Sequence, residues 1–590
     1  MKMSLRKIII TVAIALLSAS CRPVGVPDSL VTVTDNGKET VLVGDRESGK
    51  VWTITRNGWK RGSTSLCRSV TDIATDGKHR VWVLGSDDNG DCHVYELEYP
   101  GMNTTNRMRV GRGASSIAYD AGDGRLWITC RDKDELWEID IMRWSVVGKL
   151  KTPRRAVGIT MRGGLLYIAG GLPECAATDS VSSAFVYVFD KRRSALREKI
   201  ALPNGSTLTG GITSDGRYAY VTHTVSHYNL PAIRPEQGWI ASSALSVIDM
   251  DSMRLAATVL LDSPERGVGG GGAMTVSPDG EELAIALPGM GKVMTVDLDA
   301  MIRRIEALDT LATADGRPAY EDAGFMHGIK EILPSGGRGT DKLLYLEDRL
   351  LAANLYSGDI TDVTSTPERF KKIGRALTTR RRGAGEALFA DAALSFQNRL
   401  SCASCHGRDG GIDALTHMLP VDTLYTPRTT MSLASVSAEG PSEGAIARMA
   451  VAEKLKHVRK TRGGAEPEIK VSLEDRCAEA IRSLLFTEPT ANESRNLAAY
   501  IRSLRPAVSP YLKDGKPSRR AESGRRIFED AGCASCHSGQ TSLSALWLNA
   551  PYMKGSMYTL DEVIDSGHGT DGVRLDSIMK RDLKEYLLTL

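Results

Sequence analysis

The sequence predicts a multidomain protein, in which an all-β propeller of about seven blades is followed by two all-α domains. Three observations favour this fold class. A turn-and-strand pattern recurs through the first two thirds of the 590 residues, helical periodicity replaces it after residue 383, and the helical part contains an internal repeat. A chain of this length needs more than one core, so roughly two to four domains are expected.

Charge and composition narrow the range of functions. Lys and Arg number 75 against 72 Asp and Glu, so the net charge is close to zero. A basic surface of the kind that binds nucleic acid is therefore not indicated, and we expect no nucleic acid as a partner. The apolar content of 42% is that of an ordinary globular protein.

The first residues resemble an export signal. A basic start precedes an apolar run at residues 8–17, which has about half of the length that crosses a bilayer. Small residues then lead to Cys21, as in a bacterial lipoprotein signal, although the leucine of such signals lies one position early here, at Leu17. We predict a signal peptide at 1–21 with a lipid anchor on Cys21, and a plain secretory signal is the alternative. Either implies an extracytoplasmic protein; the anchor predicts a periplasm-facing or outer-membrane-anchored lipoprotein.

The predicted propeller spans residues 30–375. Its period of about 40 to 65 residues is marked by a turn followed by a β-rich strand and then a second strand with an alternating pattern. The turns lie at Asp76-Gly77, Asp123-Gly124, Gly163-Gly164, Asp215-Gly216, Asp279-Gly280 and Glu347-Asp348. Single hairpins cannot bury their own faces, but a ring of them can. The region resembles the YVTN-type repeats of extracytoplasmic seven-bladed propellers.

Insertions interrupt this rhythm at residues 172–183 and 222–243. The second insertion contains four residues that are common in binding loops: His223, His227, Tyr228 and Trp239. They are predicted either to line a contact with the helical domains or a substrate opening, or to be loop residues with local hydrogen bonds, which is the simpler interpretation. The glycine-rich segment 267–272 lacks the setting of a phosphate-binding loop and is predicted to be a flexible loop.

The β pattern ends near residues 375–383, at the basic cluster Arg380-Arg381-Arg382. A solvated linker is the simpler interpretation of this cluster, and a docking patch for an acidic partner is the alternative. Two helical units follow, which we call the first unit, 383–506, and the second unit, 520–590. Each unit opens on a helix with an apolar Phe and closes on a helix with a Tyr.

Each unit contains the same string, Cys-Ala-Ser-Cys-His, at residues 402–406 and 533–537. Two thiols followed at once by an imidazole are what covalent c-type haem attachment needs, with two thioether bonds and one axial nitrogen on iron. Zinc is disfavoured because no second Cys pair lies nearby. The sequence thus predicts two cytochrome c-type domains that hold two covalently bound c-type haems. The attachment residues are Cys402, Cys405, Cys533 and Cys536, and the proximal iron ligands are His406 and His537.

Five further cysteines remain once Cys21 and the four haem thiols are set aside: Cys67, Cys92, Cys130, Cys175 and Cys477. An odd number cannot be paired within one chain, so at least one thiol is free. Cys67 and Cys92 are the pair predicted to form a disulfide, because both lie near the start of the β region.

The helical region resembles the di-haem cytochrome c peroxidase and MauG superfamily. In the first unit the likeness rests on residues 385–406, 410–413 and 426–433; in the second unit it rests on 542–547, 550–552 and 559–564. The resemblance implies that electrons enter at the second haem, which usually has a Met ligand. The corresponding position falls on Gly567, so the adjacent His568 is the preferred distal ligand, with Met553 and Met557 as alternatives.

For the first haem, the displaceable His of classical peroxidases falls near Val421, which cannot bind iron. His417 is the preferred distal ligand, with Met418 and Met431 as alternatives and a surface histidine as an equally good interpretation. The family's Ala-Pro-Tyr-x-His-Asp-Gly has Lys554 in place of its His. Since peroxide cleavage needs a proton donor, the candidate catalytic residues are Asp413, His417 and Arg428.

The resemblance therefore implies a peroxidase-like oxidoreductase that takes electrons from a small redox protein or cytochrome and reduces peroxide, or oxidises a substrate, at the first haem. The propeller would present a protein or small-molecule substrate. A non-enzymatic electron-transfer protein with a propeller docking platform is the alternative, and an enzyme that oxidises side chains of a partner protein is a third possibility.

Overall fold

The computed structural model describes residues 24–58, 60–175, 179–231, 240–308, 322–364, 367–421, 424–434, 472–505, 508–512, 515–537, 559–567 and 573–590. The first two thirds of the chain form seven four-stranded antiparallel sheets, each built from four consecutive strands. The strands of the first four blades are β1 (Pro27–Asp35), β2 (Lys38–Asp45), β3 (Lys50–Thr55), β4 (Lys60–Ser65), β5 (Ser69–Thr75), β6 (Arg80–Ser86), β7 (Cys92–Glu98), β8 (Asn103–Arg109), β9 (Ala114–Asp120), β10 (Arg125–Cys130), β11 (Glu135–Asp140), β12 (Ser145–Lys151), β13 (Gly158–Arg162), β14 (Leu165–Ala169), β15 (Phe185–Asp190) and β16 (Ala195–Ala201).

The remaining strands of the propeller are β17 (Ser206–Ser214), β18 (Tyr218–Ser226), β19 (Ala241–Asp249), β20 (Arg254–Leu260), β21 (Met274–Val276), β22 (Glu282–Leu287), β23 (Lys292–Asp297), β24 (Lys330–Pro334), β25 (Thr340–Leu346), β26 (Arg349–Asn354), β27 (Asp359–Asp362) and β28 (Glu368–Lys372). The first strands of the blades contact one another in turn around the ring, and β1 contacts both β5 and β25. The seven-bladed propeller predicted from the sequence is confirmed. The six predicted turns each join the first and second strands of a blade.

The propeller is held together by apolar residues between blades. Seven buried clusters each combine residues of two neighbouring blades, and together they occupy all seven junctions of the ring. One cluster contains Trp82 and packs it against Tyr119 of the next blade, with 4.5 Å between the ring centroids. Burial of each large apolar side chain contributes roughly 1.5–3 kcal/mol, so the ring is stabilised by its junctions rather than by single blades.

The helices begin with α1 (Leu298–Glu306), an addition to the sixth blade between β23 and β24 that the sequence did not predict. The other helices are α2 (Arg381–Ala390), α3 (Ala403–His406), α4 (Leu473–Ala480), α5 (Ala491–Ser503), α6 (Arg519–Asp530), α7 (Cys533–His537), α8 (Leu560–Asp565) and α9 (Ser577–Leu587). Short 3-10 turns lie at Leu377–Thr379, Ala392–Leu394 and Phe396–Asn398, and a π turn lies at Ile481–Leu485. None of the described helices is both long and apolar enough to cross a bilayer.

Each helical unit packs its opening helix against its closing helix. In the first unit α2 contacts α5, and in the second unit α6 contacts α9. The helical prediction is therefore confirmed, with one addition. A two-stranded hairpin of β29 (Thr416–Val421) and β30 (Leu424–Thr429) lies in the first unit, so that unit is not all-α.

The first unit packs on the propeller. Ile240 and Ala241, at the end of the second insertion, share a buried cluster with Phe389 and Leu400. The first insertion contributes Leu172 to a smaller cluster with residues 412 and 414. Both insertions thus contact the first unit.

Two predictions about the propeller are wrong. The segment 267–272 is not a free loop but packs on the first unit: the N–H of Gly267 donates to the carbonyl of Gln397 at 3.0 Å, and a methyl on Gly269 would lie 2.3 Å from the Cβ of Ala392. Cys67 and Cys92 are separate thiols, and the Cys67 thiol instead donates to the carbonyl of Ser69 at the start of β5, 3.3 Å away.

Candidate haem sites

The first Cys-x-x-Cys-His string forms a single turn of helix. Cys402 has helical backbone angles, and its carbonyl accepts from the backbone N–H groups of Cys405 at 3.3 Å and His406 at 3.1 Å. Gly407 then ends the turn with a φ of 60°. Because positions three and four apart are neighbours on a helix, both thiols and the imidazole lie close together.

The imidazole of His406 is held by two contacts. Its Nδ1 lies 3.3 Å from the carbonyl oxygen of Gly411, and its ring centroid lies 6.3 Å from that of Phe389. The hydrogen bond assigns the proton to Nδ1, which leaves the lone pair of Nε2 for a metal. Together with two thiols on the same turn, this donor set fits a haem.

The aromatic packing around the first string is repeated at the second string. In the first unit the ring of Phe389 lies 6.3 Å from His406 and 5.2 Å from Tyr500; in the second unit Phe528 lies 6.4 Å from His537 and 5.5 Å from Tyr586. The angles between the ring planes also agree to within a few degrees, at 45° and 59° against 41° and 61°. The two units therefore pack the same pair of aromatic residues around the histidine of the string.

A glycine sets the helix crossing in each unit. A methyl on Gly385 of α2 would lie 1.9 Å from the backbone oxygen of Asn496 on α5. A methyl on Gly524 of α6 would lie 2.0 Å from that of Asp582 on α9. Only glycine lets these backbones approach so closely, and the approach brings the aromatic residues onto the haem string.

A buried pair of polar side chains lies beside the first string. Nε2 of His417 is 2.7 Å from Oδ2 of Asp413, and their side chains are only 7% and 1% exposed. The other carboxylate oxygen, Oδ1, accepts from the backbone N–H of Leu415 at 3.0 Å. The ligating atoms of Cys405, Asp413 and His417 all lie within 4.8 Å of one another. The pair is therefore at the haem-attachment site itself.

The protonation of these groups reflects burial and the carboxylate. Burial disfavours a charged imidazole at His417, but Asp413 and its hydrogen bond outweigh this and raise the pKa of His417. Burial lowers the pKa of His406, although Asp413 and backbone acceptors at Gly411 and Met431 oppose it. His406 thus favours the neutral form that binds metal, and His417 favours the charged form.

The third candidate catalytic residue of the first unit, Arg428, lies directly opposite His417 in the β29–β30 hairpin. Residues paired in this way place their side chains on one face of the hairpin, so Arg428 lies beside His417. Of the alternative ligands, Met431 contacts His406 through its backbone, and the N–H of Met418 donates to the carbonyl of Tyr228 in the second insertion at 3.2 Å.

In the second unit the string forms α7, which contains Cys533, Cys536 and His537. Residues 559–564, on which the family likeness of the second unit partly rests, begin α8. The side chain of Thr559 accepts from the N–H of Glu562 in a capping box. The distal candidates His568, Met553 and Met557 lie outside the described residues, as does Cys21.

The remaining propeller candidates separate into core and contact residues. His223 is 1% exposed, and its Nε2 lies 2.8 Å from the hydroxyl of Ser246. Burial lowers the pKa of His223 to about 4, so it is a neutral core residue rather than part of a site. Tyr228 lies at the contact with the first unit, the backbone N–H of His227 donates to the carbonyl of Ile240, and Trp239 lies outside the described residues.

Sequence reasoning missed the propeller residues that reach the haem string. The hydroxyl of Thr207 donates to the carbonyl of Asp413 at 2.8 Å, Arg155 pairs with Asp409, and Asp341 pairs with Arg408. No local pattern marks these residues. These residues lie far from their partners in the sequence, so only the folded ring brings them to the site.

Comparisons with known proteins agree with this architecture. Residues 381–511 match the family model described as di-haem cytochrome c peroxidase. A comparison with curated protein sequences found no match. The match at 381–511 implies a haem cofactor and a redox function of the peroxidase kind.

Among solved structures, a chain of Kuenenia stuttgartiensis hydrazine synthase is similar with a TM-score of 0.52 at 18% identity, covering 58% of this chain and 97% of that chain. Kluyveromyces lactis Hsv2 gives a TM-score of 0.37 at 10% identity, with 57% and 93% covered. BamB from Moraxella catarrhalis gives 0.33 at 14% identity, with 55% and 79% covered. At such identities the likeness to hydrazine synthase concerns the fold alone. The chain therefore joins a seven-bladed β-propeller to a helical region whose residues 381–511 match the di-haem cytochrome c peroxidase family model.

Proposed function

We propose that the protein is an exported di-haem oxidoreductase that reduces hydrogen peroxide at its first unit. The observation that carries this proposal is the buried pair of Asp413 and His417 beside the first haem string. The family match at residues 381–511 supports the same class of reaction.

The cofactors are two covalently attached c-type haems, one in each unit. Cys402 and Cys405 would hold the first, with His406 as a ligand to its iron. Cys533 and Cys536 would hold the second, with His537 as a ligand to its iron. When bound, haem supplies the iron that carries electrons and at which peroxide is reduced.

The side chains of the first unit supply protons. Reduction of hydrogen peroxide to two waters consumes two electrons and two protons, and the departing oxygen needs a proton as the O–O bond breaks. His417 holds a proton at Nε2, where Oδ2 of Asp413 accepts its hydrogen bond at 2.7 Å. The N–H of Leu415 fixes Oδ1 of Asp413, and the hydroxyl of Thr207 fixes its carbonyl. The pair is thus held in one orientation before peroxide binds.

The second unit takes the remaining roles. We assign to it the entry of electrons from a small redox protein or cytochrome, and to the propeller the contact with a protein or small-molecule partner. Export and lipid anchoring at Cys21 fit this assignment, because c-type haem is attached outside the cytoplasm. His568 as the distal ligand of the second haem belongs to the same proposal. His417 is assigned here as a proton donor rather than as the distal ligand of the first haem, because a protonated imidazole has no lone pair for iron.

Substitution of the polar pair tests the catalytic part of the proposal. Asp413→Asn and His417→Gln are each expected to lower kcat/KM for peroxide by about 10²- to 10⁴-fold, the usual contribution of a general acid or base. The measurement is peroxide consumption with an artificial electron donor in haem-loaded protein.

A matched control is Asp87→Asn in the propeller. Its carboxylate also lies near a histidine, 4.0 Å from Nδ1 of His93, but that pair belongs to the second blade. This variant should keep the wild-type rate. If both Asp413→Asn and His417→Gln keep the wild-type kcat/KM, neither residue supplies the proton and the assignment is wrong.

A further inference from the structure

The loop that follows the first haem string is attached to the propeller on two sides. Gly407 ends the helix of His406, and the next two residues, Arg408 and Asp409, each pair with a different blade. The loop then reaches Gly411, whose carbonyl binds His406, and Asp413, which binds His417. Its position therefore sets both polar contacts of the haem site.

The first attachment is an ion pair with the seventh blade. Nη1 of Arg408 lies 2.9 Å from Oδ1 of Asp341, whose side chain is 3% exposed. Burial alone would raise the pKa of Asp341, but Arg408, Lys342 and Arg46 outweigh it and lower the pKa, so Asp341 is charged. The hydroxyl of Tyr500 donates to the carbonyl of Arg408 at 2.7 Å, which fixes the same residue from the helical side.

The second attachment is an ion pair with the segment that enters the fourth blade. Nη2 of Arg155 lies 3.1 Å from Oδ2 of Asp409, and the two side chains are 18% and 50% exposed. Burial would raise the pKa of Asp409, but Arg155 and Arg131 outweigh it and lower the pKa. In a ring of seven, the fourth and seventh blades are as far apart as two blades can be, so the loop is held from opposite sides of the propeller.

We propose that Asp341 and Arg155 are positioning residues of the first haem site. By holding Arg408 and Asp409, they fix the Gly411 carbonyl that accepts from Nδ1 of His406. A hydrogen bond to the second nitrogen of a metal-binding histidine orients its ring and raises its basicity, which tunes the metal. The propeller is thus part of the support of the haem site. This inference rests on haem attachment at residues 402–406, as proposed above, but not on peroxide chemistry.

Charge-removing variants of the full haem-loaded protein test this role. Asp341→Asn and Arg155→Gln are each expected to shift the midpoint potential of the first haem and to change its electron paramagnetic resonance signal, while the second haem stays unchanged. The signals that disappear in a chain lacking Cys402 and Cys405 identify the first haem. Arg155→Lys should shift the midpoint potential less than Arg155→Gln does, since Lys keeps the charge but lacks the planar guanidinium.

The reciprocal variant Arg408→Gln separates positioning from general damage. Combined with Asp341→Asn, it should add little to the effect of either single variant, because both remove the same contact. The control is Asp362→Asn, which removes an ion pair with Arg349 at the opposite end of the seventh blade, where Nε and Oδ2 are 2.5 Å apart. It should leave both haems unchanged. Wild-type potential and spectrum of the first haem in Asp341→Asn and Arg155→Gln would overturn the inference, whatever the rate with peroxide.

Discussion

Replacing Cys402 and Cys405 together by alanine is expected to leave a chain with one covalent haem that no longer reduces peroxide. The two thiols and His406 share one turn beside Asp413 and His417, so the variant loses the haem next to the proposed proton donors. The intact mass of the protein and its haem absorbance under denaturing conditions measure the remaining haem, and peroxide consumption measures activity.

Alanine at Cys533 and Cys536 should also remove one covalent haem, but it acts on the other unit. That variant should keep a first site that is assembled but poorly supplied with electrons, so peroxide turnover should fall while the signals of the first haem persist. Cys477→Ala is the control, because this buried thiol lies in the core of the first unit outside the string. It should keep both haems. Two covalent haems in the Cys402/Cys405 variant would contradict the assignment.

The second large effect is expected from the two crossing glycines. Gly385→Ala places a methyl 1.9 Å from the oxygen of Asn496 and 2.8 Å from the Cβ of Tyr500. These contacts are with backbone and with a packed aromatic residue, so α2 and α5 must move apart. Overpacking of this kind costs about 1–3 kcal/mol of the free energy of unfolding, and here it also displaces Phe389 from His406.

Gly524→Ala should have the same effect in the second unit, with its methyl 2.0 Å from the oxygen of Asp582 and 2.8 Å from the Cβ of Tyr586. Thermal unfolding followed at the haem absorbance of each unit is the measurement, and each variant should lower the transition of its own unit only. Gly62→Ala on β4 is the control, because a methyl there has no neighbour within 4 Å. Wild-type unfolding of both crossing variants would show that the close approach is not needed.

Much of the fold follows from local patterns in the sequence. The turns that join the first two strands of six blades are short, and each is followed by a β-rich strand and then by a strand that alternates in polarity, so these features were predicted. The corresponding turn of the first blade, Asn36-Gly37, was not among the predicted turns. The fourth strands were also missed, since outer strands such as β16 are largely exposed and lack an apolar face.

The haem strings were predicted because the attachment chemistry needs adjacent residues. Their support could be predicted only in part. Phe389 and Tyr500 were found from helical periodicity, whereas Arg155, Thr207 and Asp341 reach the site through the closed ring and carry no local signal. The predicted disulfide between Cys67 and Cys92 was wrong because nearness in sequence does not place two thiols together in a sheet.

The central claim is that the first unit holds a haem that reacts with peroxide. The most direct test is to record optical and electron paramagnetic resonance spectra of the full haem-loaded chain, oxidised and half-reduced, with and without hydrogen peroxide. We predict two haems per chain, one of which is high-spin at rest or after half-reduction and changes its spectrum when peroxide is added. Two low-spin haems that do not respond to peroxide would contradict the account and indicate an electron carrier.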